Sequence, residues 1–267
     1  MSKIESNYFF FILLLFIPFF HFLRPHLSNN FSNQFYIFFI PLIWPGVAHG
    51  SLDFLIAKRL GIVETLFKKI IFLFSYIFLA VCFTTFWINK PELCLTIFLL
   101  ISIFHFGISD SLLKSKINFL EIFIRGSIPI SFPIYYYGDQ VGIIFTQLYI
   151  DNFFFEEIKI VINYLFYFVQ ICILYFIFFM IKNNEKEKNN IIPEIFLLYF
   201  CFTYFEPFIA FSIYFCFFHS LRHLHDEKKS KQSFIFQNYK KNNSFYFFSI
   251  SNLNLFFPFC RYWSRKL

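Results

Sequence analysis

Stretches of about 17–25 apolar residues recur along most of this chain, too many and too long for the interior of a water-soluble domain. In hydrocarbon every backbone amide must find its partner within the protein, and a helix meets that demand within a single segment. The stretches fall at about 8–23, 35–57, 70–88, 93–110, 119–137, 158–181, 191–205 and 207–225. They predict an all-α fold, a polytopic transmembrane helix bundle of about eight spans. Composition agrees, with 58% hydrophobic residues and a mean hydropathy of +0.61. Met1–Leu23 reads as the first span rather than a cleaved leader, since no small-residue cleavage site follows it. Residues 1–243 are expected to form one helical domain and 244–267 a short divergent or truncated tail. Ser249, Ser251, Asn252 and Asn254 interrupt the tail's aromatic part, Ser244–Cys260, which leaves a ninth span and an interfacial segment both open.

The net charge of +7 sits mostly in short links between apolar runs, where basic residues orient helices and meet anionic headgroups, so it is no sign of nucleic acid. Lys58, Arg59, Lys68 and Lys69 join spans two and three; Lys114 and Lys116 join four and five. Lys182, Lys186 and Lys188 join six and seven, and Lys228, Lys229 and Lys231 follow span eight. All four clusters share one side if residues 138–157 stay outside as a loop or re-entrant segment. A further span at 140–150 would move two clusters to the other side. The shared side is expected to be the cytoplasm, with both termini there and the chain in the cell's inner (plasma) membrane. Six cysteines form no CxxC pair, and the first five lie in apolar segments, so they read as buried thiols.

Four histidines lie inside the apolar stretches: His49, His105, His219 and His223. The first lysine comes nine positions after His49, His105 and His219 alike, at Lys58, Lys114 and Lys228. If each stretch ends at the same basic surface, His49, His105 and His219 share a depth about 13–14 Å inside it, with His223 one turn on from His219. Polar rings need partners there. His219 and His223 are four apart, on one helical face and about 5–6 Å from each other, so both can reach one ion. His49 precedes Gly50 and Asp53, and His105 precedes Gly107 and Asp110; both carboxylates are expected just behind the ring nitrogens, where they would orient the imidazoles. The expected metal site lies among spans two, four and eight. Four neutral imidazoles without a ligating carboxylate suit iron or copper better than magnesium or calcium. Octahedral Fe(II) with four histidines would keep two positions open for dioxygen or substrate.

The strings His-Gly-Ser-Leu-Asp at 49–53, Phe-His-Phe-Gly-Ile-Ser-Asp at 104–110, Arg-Gly-Ser-Ile-Pro at 125–129 and Tyr-Phe-Cys-Phe-Phe-His-Ser-Leu-Arg-His-Leu at 214–224 carry a resemblance. In order and approximate spacing over about residues 35–225, the chain resembles the Brp/Blh family of integral-membrane β-carotene 15,15′-dioxygenases. The resemblance implies oxidative cleavage of the central double bond of β-carotene to two retinal, with dioxygen as co-substrate. It also implies Fe(II) on His49, His105, His219 and His223, and handover of the retinal to a rhodopsin. Past the HxxxH helix the family continues with further apolar segments, whereas Asn243–Leu267 is short and polar in the middle.

Other classes compete. A membrane haem-binding protein would need fewer histidines at one level, and a diiron desaturase would need more HxxxH-like boxes than the one present. A non-catalytic helper of retinal-protein biogenesis would keep the helices without the chemistry. An opsin is disfavoured, because no lysine lies inside a span to form a Schiff base. There is no dinucleotide or flavin fingerprint, as suits an enzyme that needs no outside reductant.

Overall fold

The computed structural model describes residues 3–27, 53–54, 56–113 and 118–225, and among them every regular element is helical. All belong to one compact unit, Met1–Glu227. The helices are α1 (Lys3–Leu27), α2 (Leu66–Asn89), α3 (Pro91–Asp110), α4 (Asn118–Tyr136), α5 (Gly138–Gln147), α6 (Asn152–Lys182), α7 (Lys188–Tyr204) and α8 (Pro207–Tyr214). A π-helical turn, Phe215–His219, follows α8 directly, and the helix continues to residue 225. Most of the expected second span, with His49 in it, and the tail from residue 226 lie outside the described residues.

Local chemistry sets the boundaries. Thr65 caps α2 by accepting from the Lys68 amide. Pro91 cannot continue α2 but suits the first turn of α3, so two long helices meet at Lys90. The Asp151 side chain accepts from the Phe153 amide at 2.7 Å and starts α6 there. The segment expected as an outside loop or re-entrant stretch, 138–157, is therefore α5 followed by the first turns of α6. With ten residues, α5 is about 15 Å long, too short to cross a bilayer.

Four helical segments are long and apolar enough to cross a membrane: Ser6–Pro25, α2, α3 and α6. The other expected spans inside the described residues are helical, but shorter or more polar. The reason is clearest in α4. Every residue from Ile124 to Ile134 is buried, Arg125 and three polar or small neighbours included, because α3, α6 and α7 surround it. Its polar groups meet protein rather than lipid. The opposite case is α2, which buries nothing and presents Phe74, Phe78, Leu79 and Ile88 outward. Such a surface is a liability in water and ordinary in hydrocarbon.

The crossing of α3 and α4 depends on two glycines. A Cβ on Gly126 would sit 1.7 Å from the Ile103 carbonyl oxygen, and one on Gly107 would sit 2.1 Å from that of Ile122. Only bare Cα atoms allow this approach, as at other close helix contacts in membranes. At the far end of the bundle, the Trp87 indole donates to the Leu148 carbonyl at 3.0 Å, and the Tyr137 hydroxyl to that of Thr203 at 2.9 Å. The ends of α2, α4 and α7 thus lie with the α5–α6 link.

Candidate metal centre

The close crossing carries the last turn of α3 against the continuous helix formed by α8 and the π turn. There Asp110, wholly buried, spans two groups of that helix. Its Oδ2 accepts the Tyr214 hydroxyl at 2.6 Å, and its Oδ1 lies 3.0 Å from His219 Nδ1. With a carboxylate opposite, Nδ1 carries the proton and donates it, which puts the lone pair of the neutral ring on Nε2. That is the tautomer a metal-binding imidazole adopts when a carboxylate stands behind it.

The π turn makes this arrangement possible. In a regular α-helix, five residues rotate through about 500°, leaving side chains about 140° apart. In the widened turn, hydrogen bonds run over five residues, as from the Ser220 amide to the Phe215 carbonyl. Tyr214 and His219 then come round to the same carboxylate. Arg222, one turn on, donates Nη1 to the Asp110 carbonyl at 2.7 Å and lays its guanidinium over the Phe218 ring at 4.2 Å.

His105 stands one and a half turns before Asp110 on α3. Its ring centroid lies 5.4 Å from that of His219, at an interplanar angle of 65°. It is the exposed member of the pair, whereas His219 is fully buried. His223 is half-buried, and His223, Asp53 and Asp110 all lie within Coulombic range of His105. Asp53 also receives a long hydrogen bond, 3.4 Å, from the Tyr76 hydroxyl on α2. The structure therefore brings His105, His219, His223, Asp53 and Asp110 into one neighbourhood. Asp110 contacts not its own helix's histidine but His219, across the helix crossing. Among the described residues, no group of three His, Cys, Asp or Glu is arranged to hold a metal ion. His49 lies outside them.

An aromatic stack runs away from the site. The Phe215 ring stacks on His219 with centroids 5.8 Å apart, and Phe211 stacks on Phe215 at 5.6 Å, nearly parallel. Phe106 meets His219 edge-on at 5.0 Å. Sequence reasoning gave no role to Tyr214, Arg222, Glu194, Arg125 or Glu121. The signal was present: each charged residue among them stands in or at the end of an apolar run, where a charge needs a partner.

The model of the family described as "Beta-carotene 15,15'-dioxygenase" matches residues 40–256, starting inside the stretch of about 35–225 over which the motifs were recognised and running past its C-terminal end. A curated relative from uncultured marine bacterium 66A03, named "Beta-carotene 15,15'-dioxygenase", is 28% identical over 184 residues. The alignment covers 68% of this chain and 65% of the relative, so the chain spans just under two thirds of that protein's length. No solved structure matches.

Proposed function

This chain belongs to the β-carotene 15,15′-dioxygenase family, and from that premise we propose that it cleaves β-carotene at its central double bond with dioxygen. One oxygen atom enters each half, giving two retinal and leaving no electron to be supplied from outside. We further propose that His49, His105, His219 and His223 hold Fe(II), which when bound supplies the activation of dioxygen.

The observation that carries the reading is the juxtaposition of the His105 and His219 rings, with a buried carboxylate behind His219. The donor chemistry fits a borderline metal: neutral imidazoles in front, Asp110 and its Tyr214 hydrogen bond behind. Asp110 holds the His219 proton on Nδ1. The Phe211–Phe215 stack offers a flat apolar surface beside His219 against which a polyene can lie. A carotenoid dissolves in the bilayer and reaches the site laterally, from the lipid that bathes the apolar faces of the spanning helices. The basic links support an inner-membrane location with cytoplasmic termini.

The test is pigment extraction from a carotenoid-accumulating host. Expression of the chain should bleach β-carotene and yield retinal. Apocarotenals longer than retinal would move the cleavage off centre, and unchanged β-carotene with stable, inserted protein would contradict the reading.

A further inference from the structure

Four buried charges, Glu121, Arg125, Glu194 and Arg222, close into a ring around Asp110. The Asp110 carbonyl accepts from Arg222 Nη1 at 2.7 Å. Arg222 Nη2 lies 2.9 Å from Glu194 Oε2, and Arg125 Nη2 lies 2.9 Å from the same oxygen. Arg125 Nε donates to Glu121 Oε1 at 2.7 Å. The Glu121 carboxylate then accepts the backbone amides of Leu112 at 3.0 Å and Leu113 at 2.7 Å, just past Asp110. The ring begins and ends on one short piece of chain. All four side chains are 2% exposed or less. Ser6 adds α1 from outside the ring, donating to Glu194 Oε1 at 2.7 Å.

Stability alone is a weak reason for such a ring, since buried ion pairs often contribute no more than apolar residues of the same volume. What the ring does geometrically is specific. It grips the backbone at Asp110 and in the three residues that follow, from three other helical elements: α4, α7 and the helix after the π turn. With that backbone held, the Asp110 carboxylate can leave His219 only by changing its own rotamer, which the Tyr214 hydroxyl opposes.

We propose that Glu194 and Arg125 are positioning residues for the metal centre: through the ring they hold Asp110, and through Asp110 they hold His219 as its Nδ1–H tautomer with Nε2 turned to the ion. The purpose assigned to the ring rests on the metal-site reading above, but the tautomer can be read without any metal. Glu194→Gln keeps the side chain's shape and removes the charge that gathers both guanidinium groups. Arg222 would then lose the carboxylate that anchors Nη2 and, with it, the alignment of Nη1 on the Asp110 carbonyl.

The experiment is ¹⁵N NMR of histidine-labelled, metal-free protein in lipid nanodiscs, with His219 assigned by the signal lost in His219→Asn. Wild-type His219 should show a single Nδ1–H tautomer. Glu194→Gln should give a mixture of tautomers, and Co(II) affinity should fall by about tenfold or more, as for other residues standing behind metal ligands. Arg125→Lys should behave alike, because one ammonium cannot bridge two carboxylates as a guanidinium does. Ser6→Ala should leave the tautomer unchanged. An unaltered His219 signal in folded Glu194→Gln or Arg125→Lys overturns the proposal. Loss of folded protein in both variants overturns it too, since the ring would then be scaffold alone. If wild type binds no Co(II) while its His219 tautomer still depends on Glu194, the metal reading fails and the ring's hold on His219 stands.

Discussion

His219→Ala should abolish retinal formation in cells that accumulate β-carotene, leaving the carotenoid unbleached and the purified protein without its metal. Three features concentrate the effect on this residue. It is fully buried, its Nδ1 is committed to Asp110, and it lies 5.4 Å from His105. Removing the ring takes away one proposed ligand and also strips a buried carboxylate of a partner. Unsatisfied buried charges are costly, so some loss of stability should accompany the loss of activity. The control is His21→Ala, on the exposed side of α1, which should keep both metal and activity. Wild-type retinal from His219→Ala would remove His219 from the site.

Gly126→Ala should prevent the native crossing of α3 and α4. The added methyl would sit 1.7 Å from a backbone carbonyl oxygen that has no rotamer by which to retreat. The helices would have to separate by more than an ångström, at a cost of about 3 kcal/mol or more. Gly107 and Asp110 share α3 with the displaced carbonyl of Ile103, so the carboxylate behind His219 would move as well. The measurement is the thermal melt and the monodisperse yield in detergent. Gly142→Ala is the informative comparison, because there the methyl meets the Phe155 ring, a side chain that can turn aside. Equal yields and melting temperatures for both variants would show that the α3–α4 contact is not tight.

The existence of α1, α2, α3 and α6 was legible because long apolar runs admit few alternatives. Their lengths were not: the helices run to 25, 24, 20 and 31 residues, each longer than its expected span. Which helix lies at the centre was not legible either. Stretches 70–88 and 119–137 both read as spans, yet α2 buries nothing and α4 is enclosed. Lipid and protein interior are equally apolar, so hydrophobicity does not tell a lipid-facing helix from a buried one. The sign that separates them is charge: Glu121 and Arg125, in the body of an apolar run, are tolerable only among protein neighbours. Asp110 was legible from its place after His105 and Gly107, but its partner was not. Reaching His219 depends on the close approach at two glycines and on a π turn, and periodicity arguments assume a regular 3.6-residue helix. The α5 helix was missed for the opposite reason: it is too short and too weakly patterned to stand out from a loop. His49 and the tail after residue 225 lie outside the described residues, so the structure adds nothing to what their sequence suggests.

X-ray absorption at the iron edge, on wild type and His49→Ala reconstituted with Fe(II), tests the central claim most directly. The account predicts a first shell containing about four imidazoles in wild type and one fewer in the variant. An iron ligated by oxygen alone, or a first shell that His49→Ala leaves unchanged, would contradict it.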